Sequence, residues 1–242
     1  MDPLLLILLI ACVAFAYAMV GHGGASGYLA LMALAGISVA VMRPSALVLN
    51  LFVSAISFTQ YARSGHFRWR SFWPFALLSI PAAWLGAQVV LDPLVYKRIL
   101  AVCLLFAVAR MFGLLGKGSE RIRPVPLVLA AIIGAVLGFV SGMIGIGGGV
   151  LLSPVLLLFN WADVKTTAAT SALFIFVNSA AGLAGAMGNG ETPGPHMLPW
   201  IGAAVIGGLL GGWIGAIKLD NLRLKQALGV VLLLASVKLM MA

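Results

Sequence analysis

The sequence predicts an all-α polytopic membrane protein made of two inverted repeats, each a broken-helix hairpin followed by three transmembrane helices. Three observations predict it: a composition made for lipid, a series of apolar runs of crossing length, and a match of the chain to its own second half. Of 242 residues, 62% are hydrophobic and 9% are charged, whereas a water-soluble domain carries about 25% charged residues. From Pro3 to Met42 there is no Asp, Glu, Lys or Arg at all. Disordered, fibrous, disulfide-scaffold and ordinary globular classes are excluded.

Runs long enough to cross a bilayer, at about 20 residues each, lie at roughly residues 3–20, 44–62, 72–91, 96–116, 125–144, 165–187, 197–217 and 222–241. Two shorter runs, 28–41 and 149–160, follow glycine clusters. The first run has only Asp2 ahead of it, not the basic leader of a signal peptide, and reads as a span. The formal charge of +9 sits in short loops between runs, where the preference of basic loops for the cytoplasm accounts for it without nucleic acid. Cys12 and Cys103 each lie within an apolar run, so neither a disulfide framework nor a C-x-x-C metal pair is expected.

Sliding the chain against itself gives a repeat of about 124 residues. Gly21-His22-Gly23-Gly24-Ala25 matches Gly145-Ile146-Gly147-Gly148-Gly149, and Leu51-Phe52-Val53-Ser54-Ala55-Ile56-Ser57 matches Leu173-Phe174-Ile175-Phe176-Val177-Asn178-Ser179. Trp84-Leu85-Gly86-Ala87 matches Trp213-Ile214-Gly215-Ala216, and Leu91-Asp92 followed by Lys97 matches Leu219-Asp220 followed by Lys225. The expected organisation is a first repeat over 1–116, a basic cytoplasmic linker over 117–124 and a second repeat over 125–242.

Charge sets the relative orientation. If each short run crosses, Arg63, Arg68, Arg70, Lys117, Arg121, Arg123, Lys165, Lys218, Arg223 and Lys225 fall on one side, and Arg43, Lys97, Arg98 and Lys238 on the other. If the short runs only dip in, the same residues divide evenly, with Arg110 inside a span in both cases. The positive-inside preference selects the first arrangement, five-plus-five inverted repeats with both termini outside. A run of about 12 residues rises only about 18 Å against a core of about 30 Å, so each glycine turn is expected below the membrane surface.

The chemistry is expected at those turns. Consecutive glycines break a helix, and where the short helices restart, near Ser26 to Tyr28 and Val150 to Leu152, the first N–H groups lack intrahelical partners and carry the positive end of the helix dipole. Such a place holds a small anion, and broken helices at matching positions of inverted repeats point to a transporter's substrate site. The competing reading, close helix packing, fits Gly134, Gly138 and Gly142, and Gly207, Gly211 and Gly215, which recur every four residues.

The candidate binding residues are therefore Gly21, His22, Gly23, Gly24, Ser26, Gly145, Gly147, Gly148 and Gly149. Asn50, with Ser54 and Ser57 on its face, and Thr167, Ser171 and Asn178 in the second half could donate hydrogen bonds to oxyanion oxygens, or act as interhelical glue. His22 could accompany an anion or carry a proton, or be a hydrogen-bonded structural residue, with Ile146 in its place in the second half. No Asp or Glu falls within a predicted span, which turns the substrate toward anions. Trp69, Trp73, Trp161 and Trp200 fall near span ends, as an interfacial belt requires.

The two glycine clusters, each opening a repeat, and the Trp-x-Gly-Ala element of each half resemble the TauE/SafE sulfite exporter family of membrane permeases over nearly the whole chain. The resemblance implies a multi-pass protein of a bacterial or archaeal cytoplasmic (inner) membrane that exports sulfite, sulfoacetate or a related organosulfonate. The function expected is secondary transport of such an anion by alternating access, with one copy rocking against the other. The alternatives are a passive anion channel and an accessory membrane scaffold without transport. An intramembrane enzyme would need paired aspartates, a Ser with a base or a zinc site, and the predicted spans supply none. No cofactor and no metal are expected. The expected partners are the small anion, membrane lipid and, as an alternative to a monomer, a second copy in a homodimer.

Overall fold

The computed structural model describes residues 2–89 and 122–220, with positions 92 and 95 between them. The predicted spans 96–116 and 222–241, and most of the linker 117–124, lie outside the described residues. Among the described residues the chain is entirely helical, in eight α-helices: α1 (Pro3–Ala18), α2 (Ala25–Leu34), α3 (Val39–Arg63), α4 (Trp69–Ala87), α5 (Leu127–Ile144), α6 (Gly149–Leu158), α7 (Val164–Gly188) and α8 (Met197–Trp213). The last continues as a π-helical turn over Ile214–Lys218. Four of these stretches are long and apolar enough to cross a membrane: Val39–Arg63, Leu127–Ile144, Val164–Gly188 and Met197–Lys218. Large apolar side chains stay exposed on the outside, Leu4 at 66%, Val128 at 73% and Leu198 at 84%, a surface that lipid covers and water would not tolerate.

The short run expected over 28–41 is divided. Gly36 adopts φ +76° and ends α2, and the chain re-enters a helix at Val39. Helix α3 therefore starts five residues before the predicted span at 44, and Pro44 lies inside it. The correction moves Arg43 out of the predicted external loop and into a helix, where it is buried. The second short run keeps its start at Gly149 and ends at Leu158.

Small residues set the helix directions. Gly134, Gly138 and Gly142 of α5 lie against the backbones of Phe75, Ser79 and Ala83 of α4, in increasing order along both, so these helices run parallel. Gly207, Gly211 and Gly215 lie likewise against Ala11, Phe15 and Met19, so α8 runs parallel to α1. Helices α3 and α7 are antiparallel, with Leu47 beside Gly182 and Asn50 beside Ser179. Gly208 beside Val53 and Gly212 beside Gln60 make α8 parallel to α3. Ser79 beside Asn178 and Trp84 beside Gly185 make α4 parallel to α7. Thus α1, α3 and α8 point one way and α4, α5 and α7 the other.

These contacts sort the helices into two composite bundles. The closest packing is in three pairs, α4 with α5, α1 with α8 and α3 with α7. Helix α3 also packs on α8 and α2, and α7 on α4 and α6, so one bundle holds α1, α2, α3 and α8, the other α4, α5, α6 and α7, with the extensive α3–α7 contact between them. Each bundle borrows one helix from the other half of the sequence. The glycine seams expected to be packing are packing, and they bind each borrowed helix to its bundle.

Asp163 starts α7. Its carboxylate accepts from the Thr166 N–H at 2.9 Å and the Thr166 hydroxyl at 2.7 Å. Partial burial pushes this carboxyl up, but the Thr166 bonds, the Lys165 backbone and the Arg68 charge outweigh it and hold it below its ordinary range. A lowered native pKa means a stabilisation that is full above the ordinary carboxylate value of about 4 and is lost as pH falls through the native value. Asp163→Ala is expected to cost about 1 kcal/mol at neutral pH. Detergent-solubilised thermal denaturation should show that difference shrinking in acid.

Candidate functional site

The two glycine breaks, 124 residues apart in sequence, meet at the centre of the structure. Gly24 (φ 95°) and Gly148 (φ 77°) occupy the cap positions of α2 and α6 in the left-handed region, where a side chain would be strained. The helices accordingly restart at Ala25 and Gly149, one residue earlier than the sequence suggested. In the first break, the chain turns at Met19 to Gly21 beside the end of α3, where the Tyr61 hydroxyl donates to Met19 O at 2.6 Å. It then returns to the middle of α3, and α2 starts there.

Asn50 joins the breaks. Its Oδ1 accepts from the Ala25 N–H at 2.9 Å, capping the bare N-terminus of α2. Its Nδ2 donates to Ile146 O at 3.3 Å in the second break and to Ser179 Oγ at 3.3 Å on α7. The carboxamide oxygen thus occupies the kind of position an anion takes at a helix N-terminus. Ile175 of α7 packs close to both Gly23 and Gly147.

His22 makes the second link. Its Nδ1 lies 3.1 Å from Val20 O, and its Nε2 lies 3.3 Å from Gly149 O and 3.1 Å from Ser153 Oγ. Val20 O and Gly149 O can only accept, so each ring nitrogen faces a main-chain carbonyl, and Nε2 also lies within hydrogen-bond reach of the Ser153 hydroxyl. Ser153 Oγ continues to Ser171 Oγ at 2.8 Å. A hydrogen-bonded chain His22–Ser153–Ser171 therefore runs from the first break through α6 to α7. Ser26 is buried and pairs with the Tyr17 hydroxyl at 2.8 Å, tying α2 to α1.

The structure brings Gly21 to Gly24, His22, Asn50, Gly145 to Gly149 and Ser171 together. Ser54 bonds back to Asn50 O at 2.5 Å, while the Ser57 hydroxyl is buried without a partner. Thr167 is on the first turn of α7, and its hydroxyl is likewise buried without a partner. Asn178 donates to Ser79 Oγ at 3.1 Å and Phe174 O at 2.8 Å, so its bonds join α7 to α4 and itself. Trp161 and Trp200 are buried at 5% exposure, and Trp69 at 61% is the exposed member of the expected belt.

All junction residues with side chains are at most 1% exposed, so this conformation is closed around them. A cavity of about 340 Å³ lies elsewhere, toward the start of α1 and the loop before α8, lined by Leu6, Ile37, Val41, Gly194, His196 and Trp200.

Sequence reasoning missed Ser153 and Ser179, which line the junction, and the pair Arg43 and Glu191. Ser153 stands one turn after Gly149, and Arg43 stands seven residues before Asn50 on the same face of α3, spacings that could have flagged both. Arg43 is 5% exposed; its Nη1 lies 3.3 Å from Glu191 Oε1, its Nη2 donates to Ala87 O at the end of α4, and its stem lies on Gly145. Burial pushes the Glu191 carboxyl above its ordinary range while Arg43 pulls it down.

The family model for the sulfite exporter TauE/SafE matches residues 6–239. The chain is 42% identical over 233 residues to the probable membrane transporter protein y4hK of Sinorhizobium fredii, covering 94% of each chain. It is 33% identical over 107 residues to the probable membrane transporter protein YunE of Bacillus subtilis, covering 44% of this chain and 39% of that one. It is also 33% identical over 130 residues to the probable membrane transporter protein ORF9 of a Sinorhizobium species, covering 51% and 49%. No solved structure matches it.

Proposed function

The chain belongs to the TauE/SafE sulfite exporter family of integral membrane proteins, and from that premise we propose that it is a secondary transporter exporting a small sulfur-containing anion, such as sulfite, sulfoacetate or a related organosulfonate, across a cytoplasmic (inner) membrane. The observation that carries this reading is the convergence of two half-helix N-termini on one buried point, bridged by Asn50 and His22. Two positive dipole ends there favour a negative solute. In the conformation described, the Asn50 oxygen supplies the negative end, so substrate entry requires that Asn50 turn away.

The opposite directions of α1 and α5, of α3 and α7, and of α4 and α8 support inverted repeats. Alternating access on this architecture moves the two composite bundles along the α3–α7 contact. Rocking of one sequence repeat against the other would tear both glycine seams. The closed junction favours a carrier over a passive filter, since a filter needs a continuous wet path.

Purified protein in liposomes should take up labelled sulfite and sulfoacetate in a saturable manner that responds to an opposing anion gradient, and should not take up a labelled cation. Cation uptake alone overturns the anion reading, and non-saturating anion flux replaces the carrier with a channel.

A further inference from the structure

Apart from the junction, the feature that the transport reading leaves unused is the buried ion pair at the opening of α3. Arg43 belongs to one bundle; Glu191, Ala87 and Gly145 belong to the other or to the loop leaving it. The guanidinium is therefore a tie across the interface that alternating access must open. It is an incomplete tie. A guanidinium offers five donors in a fixed fork, yet Arg43 Nε is buried without a partner, Glu191 Oε2 is also buried without one, and the carboxylate meets the arginine through a single 3.3 Å contact. Taking two charges out of water is costly, and single-point contact does not recover the cost as a bidentate pair does.

The partner is mounted to leave. Glu191 lies in the loop between α7 and α8, which reads Asn189-Gly190-Glu191-Thr192-Pro193-Gly194-Pro195-His196. Gly188 and Gly190 have open space around them, and Gly190 adopts φ +80°. Besides the ion pair, Gly194 N–H donates to Ser45 Oγ at 2.9 Å and Asn189 Nδ2 to Ala87 O at 3.4 Å. The Glu191 N–H donates to Ala186 O at 3.1 Å and anchors the loop's start to the end of α7, so the swing takes place beyond that bond. Gly194, Pro195 and His196 also line the 340 Å³ cavity, which leaves one side of this end of the loop unpacked. Arginine suits planar or tetrahedral oxyanions because its fork engages two oxygens at once.

We propose that Arg43 is an anion-binding residue at the mouth of the second glycine break, that the Glu191 carboxylate holds its place as an internal substitute, and that the transported oxyanion exchanges with it as the loop 189–196 swings out. The proposal rests on the anion-transport reading for the identity of its ligand. Arg43 lies about two helical turns from Asn50 on one face of α3, so the ion arriving at the mouth passes Ala46 to reach the junction.

Ala46, fully buried with a side chain of carbon only, reports the path. In full-length protein with Cys12→Ser and Cys103→Ser, Ala46→Cys is expected to react slowly with a polar maleimide in detergent. Adding Glu191→Gln should speed the labelling by about tenfold or more. Sulfoacetate, which does not consume maleimide, should slow it again when Arg43 is present and should have no effect after Arg43→Gln; chloride serves as the control anion. In liposomes, Arg43→Lys, which keeps the charge but loses the fork, should raise the half-saturating sulfoacetate concentration by about tenfold with normal protein yield. Labelling no faster in Glu191→Gln, or protection that survives Arg43→Gln, overturns the proposal. Protection that depends on Arg43 in a protein that moves no anion upholds this site and overturns the transport reading instead.

Discussion

Asn50→Leu is expected to abolish anion flux and to lower the thermal midpoint, the largest functional loss from any single change at the junction. Leucine has nearly the shape of asparagine, so the packing volume survives and the effect isolates the amide. Three bonds disappear, to Ala25 N–H, Ile146 O and Ser179 Oγ. Serine can turn its hydroxyl elsewhere, but the two main-chain groups are buried and fixed. Each buried group left unmade costs about 1–3 kcal/mol, so the loss falls at about 2–6 kcal/mol. Asn50→Asp separates stability from transport. It keeps an acceptor for Ala25 N–H and loses the donors, while a fixed carboxylate takes the place the anion needs. Flux should remain absent in both variants, measured with labelled sulfoacetate in liposomes. Wild-type flux and an unchanged midpoint in Asn50→Leu would remove Asn50 from the site.

The reason Asn50 could be named from the sequence, and Arg43 could not, is physical. An asparagine in an apolar run must find partners inside the protein, because lipid offers none, so its presence alone marks an interior bond. Arginine at the end of an apolar run has a second outlet, the headgroup region, and charge counting sends it there. Only tertiary contact shows that α3 begins at Val39, with Arg43 inward. The starts of α2 and α6 were legible to within a residue, because glycine in the left-handed region is a local demand. Partners across the interface were not legible. Ser153 and Ser179 are ordinary serines in sequence, and what selects them is the convergence of α6 and α7 on His22 and Asn50. Likewise the repeat predicted two similar halves, but the exchange of α4 and α8 between bundles depends on which small-residue faces fit together. Local periodicity marks those faces without saying which face meets which.

Gly142→Val is expected to cost about 3 kcal/mol of stability, the upper end of what overpacking usually costs. A Cβ at Gly142 would fall 2.7 Å from the Ala83 carbonyl carbon and 2.8 Å from its Cα, backbone atoms that cannot rotate away. The helices would have to part, and with them the contacts at Gly134, Gly138 and Gly86 on the same seam. In lipid there is little hydrophobic drive to hold them together, since close packing is itself the attraction. Gly202→Ala on α8 is the matched control. It has open space around it, so alanine should gain up to about 1 kcal/mol through helix propensity alone. Thermal denaturation of both variants in one detergent distinguishes a seam effect from a general intolerance of glycine replacement. If Gly142→Val is as stable as Gly202→Ala, α4 and α5 are not held as one body, and motion between the composite bundles loses its mechanical basis.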